Sequence, residues 1–176
     1  MKPQLSHVGI YVTDTETMIG FYEAVLGLTV TDRGLSSSAR QPIIFMSATP
    51  DQHHQFVLVQ GRAKDAPSTI NQLSFKVASL AELREVAGRV TARGITLRQT
   101  SHGNAWSVYF LDPEGNQVEI YLDTPWHVAQ PHGDPMDFSL SDEVIYAQTE
   151  ARVRNDPTFK TKVAREDELA RILAQR

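Results

Sequence analysis

The chain has 176 residues, of which 17 are basic and 21 acidic, for a net charge of −4 at pH 7. This length fits one domain with or without an added segment, and the negative balance argues against nucleic acid or an anionic membrane as partner. The absence of cysteine excludes disulfides, thiolate nucleophiles and sulfur metal ligands. No apolar run is long enough to span a membrane and no apolar leader follows Met1, so we expect a cytoplasmic protein.

In the first half of the chain, alternating polar and apolar residues and a helical spacing of apolar residues predict one module of strands and a helix. The predicted elements are a strand at 7–12, a helix at 16–26, and strands at 28–33, 42–47 and 55–60, with a small-residue loop at 34–41. The predicted elements of the second half are a strand at 71–77, a helix at 80–93, strands at 95–99, 106–111 and 117–122, and a tight turn at 112–115. Helices are also expected at 142–153 and 166–174.

The two halves repeat one pattern with a period of roughly 65 residues. His7 aligns with Gln72, and each first strand is followed by a helix that ends in glycine, at Gly27 and Gly94. A single β-α-β-β-β unit cannot bury its own sheet face, so two copies must pack together, and a ligand would bind at their seam. The sequence therefore predicts an α+β fold of two tandem βαβββ modules forming a cupped mixed β-sheet.

The expected domain boundaries follow from this repeat. We place the modules at about 4–61 and 70–124, within a domain at 1–124, and assign 125–176 to a C-terminal extension with helices. The extension has no counterpart in the repeat, so we expect it to cover the domain or to form a dimer contact. The expected assembly is a homo-oligomer.

Glu119 is an acidic residue within the otherwise apolar strand 117–122, where Tyr121 shares its face. A carboxylate in a buried sheet is costly unless it is paired or bound to a cation. The aligned residue of the first module is apolar Val57, so the repeat itself does not require this charge. The alternatives are a salt bridge to an inward basic residue such as Lys76 and a metal ligand, and we favour the ligand.

His7 lies on the matching inward face of the first strand. A lone strand histidine is more often a core residue, but its correspondence with Glu119 and Gln72 favours a metal site. Imidazole and carboxylate with open positions suit a divalent first-row metal such as iron or manganese. Gln72 is either a third ligand through its amide oxygen or a polar core residue, and both alternatives stay open.

Further candidates lie in loops and on the strand at 106–111. Paired loop histidines are usually solvent-exposed, but beside a metal one of His53 and His54 would serve as acid or base. His102 precedes the strand at 106–111, and Tyr109 on that strand either presents its phenol to the site or packs in the core with its hydroxyl at the rim. Two histidines of the extension are expected at the surface: His127 and His132.

These segments together resemble the vicinal oxygen chelate superfamily of glyoxalases, bleomycin resistance proteins and extradiol dioxygenases, whose members use paired β-α-β-β-β units. The resemblance covers about residues 5–123 and rests on the strand at 7–12, the helix end at 21–28 and the segment 110–120. Within the superfamily the chain is most similar to type I extradiol ring-cleaving dioxygenases. The reasons are the His53-His54 pair before the fourth strand and a histidine, His102, followed by a Ser-x-Tyr strand at 107–109.

The resemblance implies a dioxygenase that cleaves a catecholic aromatic ring with O2, using Fe(II), or in some members Mn(II), held by two histidines and a glutamate. His7 and Glu119 match two of these ligands, and Gln72 stands where the dioxygenases have their second metal histidine. The resemblance assigns the acid/base role to His54, and His102 and Tyr109 match residues that hold the catecholic substrate or intermediate. Glutamine is a ligand in some glyoxalases of the superfamily, but Val57 replaces the first-module carboxylate that glyoxalase I requires.

Two alternatives from other classes stay open. A non-catalytic, resistance-type binding protein of the same fold is favoured by Gln72, because a binder needs no redox-active metal, and disfavoured by the cluster of His54, His102 and Tyr109. The other alternative is an O2-independent metal enzyme of the superfamily, such as a glyoxalase-like lyase or isomerase, or a thiol transferase.

Overall fold

The computed structural model describes residues 3–37 and 40–175, which form eleven strands and four helices. They fall into two compact units: the chain through Asn71 with Leu111–Gln117, and Gln72–Phe110 with the chain from Val118 onward. Residues 38 and 39 of the predicted loop at 34–41, together with Met1, Lys2 and Arg176, lie outside the described residues. No helix in the described part is long and apolar enough to cross a lipid bilayer.

The first unit contains one helix and a mixed four-stranded sheet. Its elements are β1 (Val8–Val12), α1 (Thr15–Leu26), β2 (Thr29–Leu35), β3 (Pro42–Ser47) and β4 (Phe56–Gln60). The strand order is β1-β4-β3-β2, with β1 and β4 parallel and the other pairs antiparallel. The side chain of Asp14 caps α1 by accepting from two backbone N–H groups, and Gly27 ends the helix at a left-handed φ of 71°, as the sequence predicts.

The second unit repeats this arrangement. Its elements are β5 (Leu73–Lys76), α2 (Leu80–Thr91), β6 (Arg98–Ser101), β7 (Ala105–Leu111) and β8 (Gln117–Asp123). The order β6-β7-β8-β5, with β5 and β8 parallel, matches that of the first unit, which confirms the predicted pair of βαβββ modules. The predicted start of β6 at 95 was wrong, because the Ile95 N–H still bonds to the Val90 carbonyl at the end of α2.

The extension adds three short strands and two helices to the second unit. They are β9 (Trp126–His127), β10 (Asp134–Pro135), α3 (Asp142–Val153), β11 (Lys160–Thr161) and α4 (Lys162–Ala174). β10 joins the edge of the sheet beside β6, and β9 pairs antiparallel with β11. α3 has its predicted bounds, whereas α4 begins at Lys162 rather than 166 because the Thr161 hydroxyl caps it.

α3 packs into the core of the second unit. Ile145, Thr149 and Val153, four residues apart along one face, are each at most 1% exposed. The Thr149 hydroxyl accepts a hydrogen bond from the indole N–H of fully buried Trp106 on β7 at 2.9 Å. On α2, the Arg84 guanidinium donates to the Phe138 and Leu140 carbonyls and to the Asp142 carboxylate. The extension therefore buries one face of the second module.

In the first unit, the predicted turn at 112–115 is confirmed and contains a buried carboxylate. Asp112 is 5% exposed, and its Oδ1 accepts from the backbone N–H groups of Glu114 and Asn116 at 2.9 and 2.8 Å. Its Oδ2 accepts from the Tyr22 hydroxyl at 3.0 Å and from the Asn116 amide at 2.7 Å. Burial, and then the adjacent Asp112 carboxylate, raise the pKa of Tyr22 above its usual range.

We expect Asp112→Ala to lower the free energy of unfolding by about 3 kcal/mol, because it leaves several buried donors without an acceptor. Tyr22→Phe is the matched control and should cost only about 1 kcal/mol, since Asp112 keeps its other three donors. Urea unfolding of both variants measures the difference. Equal losses would show that the carboxylate does not organise the turn.

Candidate functional site

The candidate site of the second unit is built around Glu119 on β8, which is 7% exposed. One carboxylate oxygen, Oε1, accepts a short hydrogen bond from the Tyr109 hydroxyl. The other, Oε2, accepts from the Ser74 hydroxyl at 2.6 Å and from the Gln72 amide at 3.0 Å. The parallel register sets Ser74 directly opposite Glu119, and Gln72, two residues earlier, shares the face of Ser74.

No salt bridge reaches Glu119 among the described residues, and the donors around it are neutral groups. The alternative of a Glu119–Lys76 salt bridge is wrong, because the Lys76 ammonium bonds to Asp123 at 2.6 Å. The register explains this choice, since Lys76 pairs with Tyr121, further along β8 than Glu119 and closer to Asp123. A buried carboxylate with neutral donors and no basic partner is suited to binding a cation.

Tyr109 connects Glu119 to His102 in a hydrogen-bonded chain. The Tyr109 oxygen lies 2.7 Å from His102 Nε2, and His102 Nδ1 lies 2.6 Å from the His132 carbonyl oxygen. A carbonyl only accepts, so the proton on Nδ1 is fixed. His102 Nε2 therefore faces the Tyr109 oxygen, whose hydroxyl also donates to Glu119.

The Tyr109 phenol is held in its protonated form. Burial, followed by the hydrogen bond and negative charge of Glu119, raises the pKa of Tyr109 to about 12. Arg98, opposite Tyr109 in the β6–β7 pair, acts in the other direction from 4.2 Å above the ring centre. Tyr109 therefore donates a hydrogen bond near neutral pH.

These side chains open on a cleft of about 880 Å³, a volume typical of small-molecule sites. Segment 130–133 of the extension lines one part of it. His132, which the sequence places at the surface, lies in this wall with its side chain 23% exposed and its Nε2 3.3 Å from Asp134. His127 is half-buried, and burial, then Arg165 and Lys160, lower its pKa. Both histidines are half-buried and line clefts rather than standing fully exposed, because β9 and β10 fold the extension back onto the unit.

In the first unit, His7, His53 and His54 form a second polar cluster. The rings of His7 and His54 lie 4.4 Å apart, and the Nδ1 atoms of His53 and His54 lie 2.9 Å apart. The Asp32 carboxylate accepts from His53 Nε2 at 2.9 Å, so a neutral His53 offers Nδ1 as acceptor to His54. His54 Nε2 then keeps its lone pair. Partial burial, followed by the nearby rings of His7 and His53, lowers the pKa of His54, which favours the neutral base.

The six candidate residues thus lie in two groups. His7 and His54 meet in the first unit, and Gln72, His102, Tyr109 and Glu119 meet in the second. Within residues 3–37 and 40–175, no three His, Asp or Glu side chains cluster as a metal site. The predicted ligand set contains only two residues of those types, His7 and Glu119, beside an amide. The ligand and catalytic roles stay predictions.

Sequence reasoning missed several residues of these groups. Ser74 could have been predicted from the sequence, because it follows Gln72 by two positions and therefore lies on the same face of the strand. Arg98 required the β6–β7 register, which begins later than the sequence predicts. Asp32 and His132 carry no local signal, since each reaches its partner histidine only through the fold.

Comparison with known proteins identifies the family. The model of the Glyoxalase/Bleomycin resistance protein/Dioxygenase superfamily matches residues 4–120, and the chain belongs to this superfamily. Biphenyl-2,3-diol 1,2-dioxygenase 3 of Rhodococcus globerulus is 27% identical over 130 residues, which cover 70% of this chain and 65% of that relative, just under two thirds of its length. Glutathione transferase FosA of Serratia marcescens is 24% identical over 123 residues, covering 69% of this chain and 82% of that relative.

A solved structure supports the same fold. The fosfomycin resistance protein FosX of Listeria monocytogenes, determined with Mn(II) and sulfate, matches with a TM-score of 0.55 and 18% identity. The match covers 70% of this chain and 95% of FosX. At this identity the likeness concerns the fold alone.

We expect Tyr109 to stay protonated at about pH 11, because Glu119 and burial oppose the phenolate. Glu119→Gln should lower the pKa of Tyr109 toward its usual value, since it removes the negative charge. Arg98→Gln should raise it further, since it removes the neighbouring cation. Titration of the ¹³Cζ signal of Tyr109 measures all three proteins, and a shift of the same sign in both variants would contradict the assignment.

Proposed function

We propose that the chain is a metal-dependent extradiol-type dioxygenase that cleaves a catecholic aromatic ring with O2. The observation that carries the proposal is the hydrogen-bonded chain from Glu119 through Tyr109 to His102, which lines a cleft of about 880 Å³. It offers a buried carboxylate, a phenol and an imidazole to one small molecule. The likeness to a biphenyl-2,3-diol dioxygenase supports the same substrate class.

Glu119 and Gln72 are the proposed metal ligands of the second unit, and the sequence resemblance adds His7 as the third. The donor set fits a divalent cation, because the Glu119 carboxylate is buried among neutral donors and lacks a basic partner in the described residues. The expected metal is Fe(II), with Mn(II) as the alternative. When bound, this metal would supply Lewis-acid and redox chemistry for the reaction of a catechol with O2.

The chain's own residues bind the substrate and move its protons. The Tyr109 hydroxyl and His102 Nε2 present hydrogen-bonding groups to a substrate oxygen, and the His132 carbonyl fixes the orientation of the His102 ring. The sequence resemblance assigns the base for the catechol proton to His54, and the lowered pKa of its ring favours the neutral form that accepts a proton.

The direct test is oxygen uptake by protein loaded anaerobically with Fe(II), measured against a panel of catechols. We expect uptake with a yellow ring-cleavage product, because the cleft of the second unit offers a carboxylate for a metal and hydrogen-bonding groups for a catechol. Gln72→His is the informative variant, since it restores the second metal histidine of the related dioxygenases. Oxygen uptake by that variant alone would mean that Gln72 prevents ring cleavage in the natural protein. No oxygen uptake by either protein would contradict the dioxygenase proposal.

Glu119→Ala should retain no bound metal. Lys76→Ala is the matched control and should retain it, because the Lys76 ammonium pairs with Asp123 rather than with Glu119. Unchanged metal content in Glu119→Ala would overturn the ligand assignment.

A second candidate is an O2-independent metal enzyme. The alignment with glutathione transferase FosA spans 82% of that relative, against 65% for the dioxygenase, which favours a thiol transferase of similar size. Glutathione consumption by Mn(II)-loaded protein without O2 would support this alternative. Ligand binding without turnover under either condition would instead favour a resistance-type binding protein.

A further inference from the structure

We propose that the C-terminal extension holds a second binding site, for a small organic anion, formed by His127, Lys160 and Arg165. These residues line a cleft of about 660 Å³ together with Ala129, Gln130 and Pro157. All of them follow residue 120, the last residue that the superfamily model matches. The cleft therefore belongs to the added segment of this chain and goes beyond the proposed function.

The local charge of this cleft is positive. Lys160 lies directly opposite His127 in the β9–β11 pair, and Arg165 lies in the first turn of α4. A single carboxylate, Glu168, accepts from the Lys160 ammonium at 2.6 Å and from the Arg165 guanidinium at 2.9 Å. Two permanent cations thus share one anion, before any charge on His127 is counted.

Most N–H donors of Lys160 and Arg165 have no protein acceptor among the described residues. Within the described residues, one of the three Lys160 ammonium donors and one of the five Arg165 guanidinium donors bond to Glu168. The His127 ring lies close enough to Arg165, Lys160 and Glu168 to feel the charge of all three. Because Glu168 already holds Lys160 and Arg165 in position, an incoming anion would not have to order them, which reduces the entropic cost of binding.

The remaining wall points to an organic ligand. Pro157 and Ala129 contribute apolar surface, and the volume far exceeds the needs of a bare inorganic ion. A carboxylate or phosphate on a small apolar body would match the cations on one side and the apolar wall on the other. Gln130 also lines the cleft beside His102 and donates to the His102 carbonyl at 2.8 Å, so its amide signals report on both clefts.

The test is an NMR titration of the isotopically labelled full-length protein, without added metal, with benzoate, phenyl phosphate and inorganic phosphate at constant ionic strength. We expect benzoate and phenyl phosphate to shift the His127 ring signals saturably, and inorganic phosphate to bind more weakly. Because no metal or turnover is needed, this result is independent of the dioxygenase proposal.

Two variants of the site should change affinity in opposite directions. Arg165→Gln should weaken benzoate binding about fivefold, because it removes a charge-assisted contact. Glu168→Gln should strengthen it about threefold, because it removes the competing charge while keeping an acceptor for Lys160. A variant that merely unfolds would not bind more tightly.

Arg171→Gln removes the same charge elsewhere on α4 and is the matched control, with no change expected. Equal weakening by Arg171→Gln and Arg165→Gln would overturn the site in favour of a diffuse charge effect. Unsaturable shifts, a failure of Glu168→Gln to strengthen binding, or inorganic phosphate binding as tightly as phenyl phosphate would each overturn the organic-anion assignment.

Discussion

The buried carboxylate of Glu119 is the constraint on which the second unit's cleft depends. An ionised group in a sheet needs either an opposite charge or several donors, and the parallel pairing of β5 with β8 supplies Ser74 and Gln72 from one side. Tyr109 supplies the third donor from β7. All three donors are neutral, so they stabilise the carboxylate in the fold without cancelling its charge, and this remaining charge is the basis of the proposed cation site.

The extension stabilises this arrangement from behind and from the side. Behind β7, Thr149 of α3 bonds to the Trp106 indole, whose neighbour on the opposite strand face is Ser107. At the side, the His132 carbonyl fixes the proton on His102 Nδ1 and so leaves Nε2 to interact with Tyr109. A residue outside the repeated modules therefore sets the hydrogen-bonding state of a residue inside them, which makes the extension part of the site rather than an appendage.

The sequence predicts the periodic features well and the long-range contacts poorly. Alternation and glycine stops are local, so the repeat, the bounds of α3 and the turn at Asp112 followed from the residues alone. Pairing partners depend on register, which is why the sequence left a Glu119–Lys76 salt bridge open as an alternative although Lys76 bonds to Asp123. His132 was placed at the surface for a similar reason, since only the return of the chain at β10 brings it beside His102.

Gln72 is the residue that distinguishes the proposed metal site from a site with two histidines and a glutamate. A neutral imidazole has one donor and one acceptor, whereas an amide has two N–H donors and a separate oxygen. Gln72 can therefore keep its hydrogen bond to Glu119 through Nε2 while its oxygen stays available as a ligand. In the proposed site, an oxygen donor in place of a nitrogen donor would make the ligand set harder, so Mn(II) would compete more closely with Fe(II) than in a site with two histidines.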